Sequence, residues 1–195
     1  MKRKEDRRAQ ILRAAFEAFA ENGYDKTSMD DIVKRSGTSK GTLYWHFKNK
    51  KDLFLATITM LLGDLNTGAQ ALAQQEDLPA ADRLRLLFSE TTQGFLEDRK
   101  MIGLFANAFF HSYQNAEARQ MMMDAYQPFI DWTAQIVQQG IDRGEFREVD
   151  PMTAAAAMIG GGDGIMFDML LEPGWNARET MTMLIDLMLG GLRKE

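Results

Sequence analysis

Apolar residues recur with the period of an α-helix along almost the whole chain, and this periodicity restricts the fold more than any other feature. The strict alternation of apolar and polar residues that marks a half-buried strand does not occur between turn signals. Glycines such as Gly23 and Gly37, and the turn Glu172-Pro173-Gly174, separate the helical segments. The sequence therefore predicts an all-α fold of about nine helices.

The first quarter of the chain contains short helical segments with clear start and stop signals. Thr27 and Ser28 are candidate N-caps for a short second helix, because each precedes an aspartate by three residues. Ser39 is the candidate cap of a third helix, and Asn49 of a fourth. Two short helices around a glycine turn, preceded by a longer helix, have the layout of a helix-turn-helix. In that motif the second short helix lies in the major groove of DNA.

The third predicted helix has a composition that suits contact with DNA. Leu43 and Phe47 lie four residues apart and are expected to hold the helix on its neighbour. The aromatic residues at positions 44–46 cover too wide an arc for one small core to bury, although core packing is the alternative interpretation. The residues expected to face a groove and its phosphates are Lys40, Gly41, Thr42, Tyr44, Trp45 and His46.

Charge is distributed unevenly along the 195 residues, whose net charge is −5. Residues 1–53, the head, hold 13 Lys and Arg against 8 Asp and Glu, whereas residues 54–195, the body, hold 10 against 20. This split predicts that only the head meets a polyanion, and chance clustering is the alternative. The apolar share of 45% and charged share of 26% are those of an ordinary globular protein.

Several classes of site are disfavoured by composition. The chain has no cysteine and two distant histidines, so neither a disulfide nor a metal site is expected. No catalytic constellation or cofactor motif is present, and we expect no enzyme and no cofactor. The glycine-rich residues 160–164 follow no strand and lack the lysine of a nucleotide loop; close packing at a dimer seam explains them better. With no signal peptide and no apolar run of membrane-spanning length, we expect a cytoplasmic protein without a membrane partner.

The stretch from Arg8 to Phe54 resembles the DNA-binding domain of the TetR family of bacterial regulators. The matching segments are Asn22-Gly23-Tyr24, Thr27-Ser28-Met29-Asp30-Asp31-Ile32-Val33, Ser36-Gly37-Thr38-Ser39-Lys40-Gly41-Thr42-Leu43-Tyr44-Trp45-His46-Phe47 and Lys48-Asn49-Lys50-Lys51-Asp52-Leu53-Phe54. Thr38 departs from the apolar residue that is usual in the family, but it has nearly the same shape.

The resemblance implies a helix-turn-helix head at residues 1–53 and a helical effector-binding and dimerisation body at residues 54–195. Ser28 would meet the DNA backbone, Lys50 would contact phosphate, and the third helix would read the groove. The last two helices would pair two copies, so that a homodimer binds a palindromic operator as a repressor and a small effector releases it. The alternatives are that these helices close a monomer core, and that the chain is a helical protein-interaction module without sequence-specific DNA binding.

The body contains many methionines among aromatic residues, which suggests a soft pocket for a hydrophobic or aromatic effector. Ordinary core packing is the alternative for each residue. His111 and Asp163 are ambiguous, since each could be a polar pocket group or a surface residue. The candidate effector-binding residues are Met101, Phe105, Phe109, Met122, Tyr126, Phe129, Met158 and Met166.

Overall fold

A computed structural model describes residues 2–172 and 174–194, with the side chains of residues 2–5 and 114 outside the description. These residues form nine α-helices and no strand, with one isolated bridge between Phe146 and Arg193. The predicted all-α fold is confirmed; Pro173 of the predicted last turn lies outside the described residues. The helices are α1 (Lys2–Lys26), α2 (Met29–Ser36), α3 (Lys40–His46), α4 (Lys50–Gln74), α5 (Ala80–Glu97), α6 (Lys100–Gln114), α7 (Ala116–Asp142), α8 (Pro151–Leu171) and α9 (Ala177–Leu192).

The chain divides into two compact units. Unit 1 comprises residues 1–62 and 99–125, and unit 2 comprises residues 63–98 and 126–195. Helices α4 and α7 therefore each contribute to both units. Unit 1 contains α6 and the start of α7 in addition to the helix-turn-helix. This division by compactness does not test the expected boundary between a DNA-binding and an effector-binding domain at residues 53 and 54, which stays a prediction.

Short-range hydrogen bonds explain where the first helices begin. The Ser28 hydroxyl accepts from the Asp31 amide while the Asp31 carboxylate accepts from the Ser28 amide, which forms a complete capping box on α2. Ser39 caps α3 in the predicted way, since its Oγ accepts from the Thr42 amide at 3.1 Å. Thr27, the other predicted cap, is instead buried and donates to the carbonyls of the preceding helix.

Unit 1 is built around α1, which packs against α2 and α6. Phe19 and Phe54 meet edge to face with ring centroids 5.0 Å apart, and Tyr24 lies against both. His111 of α6 packs its ring 4.9 Å from that of Tyr24. His111 is therefore part of the packing of unit 1, which neither alternative from the sequence anticipated.

Unit 2 packs α5, α8 and α9 together, and two glycines lie where α8 approaches side chains of its neighbours. A Cβ added at Gly161 would lie 2.8 Å from a methyl of Leu184, and one at Gly162 would lie 3.4 Å from the end of Met181. Packing within the chain therefore accounts for these two glycines, and the explanation by a dimer seam stays a prediction. Gly160 and Gly164 are exposed and meet nothing within 4 Å.

Helix α8 tests the expectation that no segment of the chain is long and apolar enough to span a membrane. Eighteen consecutive residues of this 21-residue helix have a mean hydropathy of 1.3, so by length and composition alone it could cross a bilayer, and the expectation was wrong in that respect. The helix carries Asp163 and Asp168 and packs against α5 and α9. About a third of its apolar stretch is buried within the chain, and an apolar side of the helix is uncovered.

Candidate DNA-binding surface and effector cavity

Helix α3 is held in place from one side and open on the other. Leu43 is fully buried and Phe47, which follows the helix, is 2% exposed, as the sequence predicted. On the opposite side Tyr44 is 45% exposed and Trp45 is 61% exposed. These two adjacent side chains leave a large aromatic surface in solvent beside the basic segment, and this surface is available to a partner.

The polar residues predicted to contact DNA lie on or beside this open side. Lys40 forms an exposed ion pair with Asp30 at 2.8 Å, and the Thr42 and Ser39 hydroxyls lie 2.8 Å apart. The exposed Ser28 is engaged by its own capping box. His46 is half-buried, with its ring edge to face against Trp45.

Gly41 is an exposed glycine within α3 that the protein itself does not require. Its backbone is in the ordinary negative-φ range, and an added Cβ would meet only the Ser39 hydroxyl at 3.9 Å. Glycine costs a helix about 1 kcal/mol relative to alanine at such a position. The absence of an internal reason favours an external one, namely close approach of the helix backbone to a partner.

Lys50 occupies a more internal position than the sequence suggested. Its ammonium donates to the carbonyls of Tyr24 at 2.8 Å and Asp25 at 3.2 Å, and it lies 4.4 Å from the centre of the Tyr24 ring. An ammonium has three N–H donors, so these bonds leave one for a phosphate. The phosphate contact stays a prediction, beside a structural role that the sequence did not indicate.

Unit 2 contains an apolar cavity that is partly open to solvent, and the roughly 420 Å³ of space not filled by protein atoms includes the solvent at its mouth. It lies among α5, α7, α8 and α9 and is lined by Phe88, Thr91, Thr92, Phe95, Phe129, Ile159, Gly162, Asp163, Ile165, Met166, Met169 and Met181. Of the predicted effector residues, Phe129 and Met166 line it, and Tyr126 reaches it through Asp163.

The other predicted effector residues lie elsewhere. Met101, Phe105, Phe109 and Met122 belong to unit 1. Met158 is buried at a separate groove beside Leu187 and Met188. The sequence missed Phe88 and Phe95 because the apolar stripe of α5 resembles any core stripe, and nothing local shows that a cavity faces it.

One ionisable group lines the cavity. Both carboxylate oxygens of Asp163 accept from the Tyr126 hydroxyl, at 2.8 and 2.7 Å. Burial raises the pKa of the Asp163 carboxyl above its usual value, and the hydrogen bond from Tyr126 offsets this only in part. Burial and the neighbouring carboxylate also raise the pKa of the Tyr126 hydroxyl, which therefore stays a donor at neutral pH.

A second open surface of unit 2 lies on α8 and α9. On α9 Met183 is 59% exposed and Leu187 is 68% exposed. On α8 the exposed residues Ala156, Gly160 and Gly164 recur every four positions and form a shallow strip along one side. Within the described residues, no group of three His, Cys, Asp or Glu side chains could hold a metal ion.

Known proteins resemble this chain in sequence. Residues 11–57 match the family model described as bacterial regulatory proteins, tetR family. An uncharacterized HTH-type transcriptional regulator of Bacillus subtilis, YfiR, is 30% identical over 168 residues, which cover 84% of this chain and 80% of the relative.

Solved structures share the fold over nearly the full length. The regulator FadR from Bacillus subtilis in complex with stearoyl-CoA has a TM-score of 0.80 at 23% identity, covering 95% of this chain and 99% of FadR. The SmeT–triclosan complex has a TM-score of 0.84 at 22% identity, covering 97% of this chain and 93% of SmeT. The chain therefore belongs to the TetR family of bacterial transcriptional regulators, which are DNA-binding proteins and not enzymes.

Proposed function

We propose that this protein is a repressor that binds a palindromic operator as a homodimer and releases it when a small hydrophobic or aromatic effector occupies the cavity of unit 2. The observation that carries this proposal is the open side of α3. A capped helix, anchored by Leu43 and Phe47, presents Tyr44 and Trp45 to solvent at the end of a basic segment.

The proposed DNA contacts follow from the positions of the side chains along α3. Residues near the start of the helix, Lys40 and Thr42, lie nearest the bases, with Tyr44 one turn further on. The Lys40–Asp30 pair is exposed, and exposed pairs contribute at most about 1 kcal/mol, so Lys40 can exchange Asp30 for a phosphate. Gly41 permits close approach of the backbone, and the remaining contacts come from Ser28, Trp45, His46 and Lys50.

The homodimer is proposed to form through α8 and α9. Burying Met183 and Leu187 against a second copy would remove their apolar side chains from water, and the strip at Gly160 and Gly164 would let helix backbones approach closely. A two-fold dimer can place two recognition helices one DNA turn apart, about 34–36 Å. Operator symmetry would then mirror the symmetry of the protein.

The effector is proposed to bind in the cavity of unit 2, whose walls are almost entirely apolar. Neighbours of the same fold have been solved with stearoyl-CoA and with triclosan, and these ligands support a hydrophobic effector here. Effector binding must favour a conformation with lower affinity for the operator. Helix α4, which runs from Lys50 in unit 1 to Gln74 in unit 2, is the proposed link. A repressor of this kind acts in the cytoplasm.

The test is selection of genomic DNA fragments by the purified protein, followed by titration of the enriched sequence and of random DNA by fluorescence anisotropy. Tyr44→Ala should reduce the preference for the enriched sequence about tenfold or more, since one base contact contributes roughly 1–3 kcal/mol of discrimination. Tyr113→Ala is the matched control, because Tyr113 is 82% exposed in unit 1 but lies on α6. This control should keep the wild-type preference.

Two results would contradict the proposal. The first is equal binding to all DNA sequences, and the second is tighter binding to an acidic protein or membrane surface than to DNA, which would favour the interaction module. Effector release is tested separately, by adding candidate apolar compounds to the protein–operator complex and measuring the loss of anisotropy.

A further inference from the structure

Asp163 has fewer partners than a partly buried carboxylate normally needs. A carboxylate can accept about four hydrogen bonds, yet both oxygens of Asp163 share the single hydroxyl of Tyr126. Among the side chains that the structure describes, no lysine, arginine or histidine forms an ion pair with it. A partly buried carboxylate without a cation is costly, because burial removes the water that would otherwise solvate its charge.

The other polar side chains of the cavity wall are already satisfied. The Thr91 hydroxyl donates to the Leu87 carbonyl and the Thr92 hydroxyl donates to the Phe88 carbonyl, both at 2.7 Å within α5. Asp163 is therefore the group of the wall that combines free acceptor capacity with a negative charge. The rest of the wall is apolar and includes the rings of Phe88, Phe95 and Phe129.

These features define one class of ligand. Apolar walls favour an apolar body, an unpaired carboxylate favours a positive charge, and aromatic rings attract a cation that lies over their faces. A neutral ligand would leave the Asp163 charge uncompensated, and an anionic ligand would add repulsion in a poorly solvated space.

We propose that the effector cavity selects an apolar ligand carrying a cationic nitrogen, a protonated amine or a quaternary ammonium, which pairs with the Asp163 carboxylate among the aromatic walls. This inference rests on the proposed function, since it specifies the effector of that same cavity. Asp163 determines the charge of the ligand, and Tyr126 occupies part of the acceptor capacity of its carboxylate.

The test compares four probes of matched shape by isothermal titration calorimetry on the full chain near pH 7.5. The probes are 4-phenylbutylamine, its trimethylammonium analogue, 4-phenylbutanol and 4-phenylbutanoate. At least one cationic probe should bind about tenfold more tightly than the alcohol, which corresponds to roughly 1.4 kcal/mol, and the carboxylate should bind most weakly. The two cations distinguish a protonated amine from a quaternary ammonium.

Three variants connect this preference to the residue. Asp163→Asn keeps an acceptor for Tyr126 but removes the charge, and it should lose the preference for the cation. Asp168→Asn, on the same helix but not in the cavity wall, should keep it. Tyr126→Phe leaves the carboxylate unoccupied and should keep or increase the preference. Thermal unfolding of each variant shows that it is folded.

The inference is overturned if the alcohol binds as tightly as the cations, if Asp163→Asn retains the preference, if Tyr126→Phe loses it, or if no probe binds the wild-type protein. The same preparations are titrated with the selected DNA fragment. Failure of DNA binding would count against the proposed function alone, whereas normal DNA binding without a preference for cations would count against this inference alone.

Discussion

Lys50 and Asp163 are both partly buried charged residues, but they differ in how many groups of the protein compensate the charge. The Lys50 ammonium has two carbonyls and the face of an aromatic ring. The Asp163 carboxylate has one hydroxyl. We therefore expect the Lys50 charge to raise the free energy of unfolding and the Asp163 charge to lower it. Both effects can be measured.

We expect Lys50→Met to combine two effects. Loss of the bonds to Tyr24 and Asp25 and of the ring contact should lower the free energy of unfolding by about 1–2 kcal/mol. Loss of a phosphate contact should also weaken binding to every DNA sequence and reduce the salt dependence by about one unit of slope. Chemical denaturation and salt titrations separate the two effects.

Lys48→Met is the matched control for that substitution, since Lys48 is exposed. It should weaken DNA binding without lowering stability. If Lys50→Met leaves stability unchanged, the hydrogen bonds assigned to its ammonium do not contribute in solution.

Asp163 gives a prediction about pH, because its pKa is raised in the folded protein. Below the unfolded pKa, near the ordinary value of 3.8, the group is protonated in both states and costs nothing. The cost develops as the pH rises and is complete above the folded pKa. Asp163→Asn should therefore unfold at a higher temperature than the wild type near pH 8, and the difference should shrink as the pH is lowered toward about 4. A constant difference across this range would show that Asp163 does not carry the unpaired charge.

At the scale of elements, α3 is a helix of seven residues that depends on its surroundings. Isolated helices of this length are unstable in water. The Ser39 cap and the two anchors, Leu43 and Phe47, hold it in place. Gly41 lowers the stability of the helix relative to alanine. This suggests that the residues of α3 favour contact with a partner over the stability of the helix.

Gly41→Ala should therefore move stability and function in opposite directions. We expect the free energy of unfolding to rise by about 0.5–1 kcal/mol, because alanine favours the helix and has open space. Operator affinity should fall about tenfold, a loss of roughly 1.4 kcal/mol, because the added methyl separates the helix from DNA.

Gly94→Ala on α5 provides the comparison, since an added Cβ there meets nothing within 4 Å. It should raise stability alone. If Gly41→Ala leaves operator affinity unchanged, the helix backbone does not approach DNA closely at this residue.

The sequence predicts some elements well because their causes are local. Caps at Ser28, Ser39 and Asn49 depend on residues three positions away, and the structure confirms all three. The cavity has no such local cause. The apolar residues of α5 have the same helical spacing whether they face packed side chains or a cavity. Which of the two they face depends on the distance to the other helices. Gly161 is similar, because only the position of Leu184 on another helix explains it.

At the scale of the whole molecule, the exposed apolar side chains of α8 and α9 are the basis of the proposed homodimer. Leu187→Glu would place two like charges close together across a two-fold seam without a change in the core of the chain. We expect a monomer in sedimentation experiments and a loss of operator affinity of roughly two orders of magnitude or more, since each head would then bind a half-site alone.

Met123→Glu, at an exposed methionine of α7 in unit 1, is the control that adds the same charge outside this surface. It should remain dimeric and bind the operator normally. A Leu187→Glu variant that still sediments as a dimer would place the dimer interface elsewhere.

The sharing of α4 and α7 between the two compact units has a consequence for protein engineering. A head cut after residue 53 would lack α6, against which α1 packs, and would leave the Phe19–Tyr24 cluster without Phe54 and His111. We expect this fragment to be unfolded by circular dichroism, whereas the full chain is helical. Exchanging DNA specificity between relatives will therefore work better by transplanting the surface residues of α3 than by joining one protein's head to another's body. The contact surface of α3 can be exchanged alone, whereas the helices of unit 1 have to be kept from one protein.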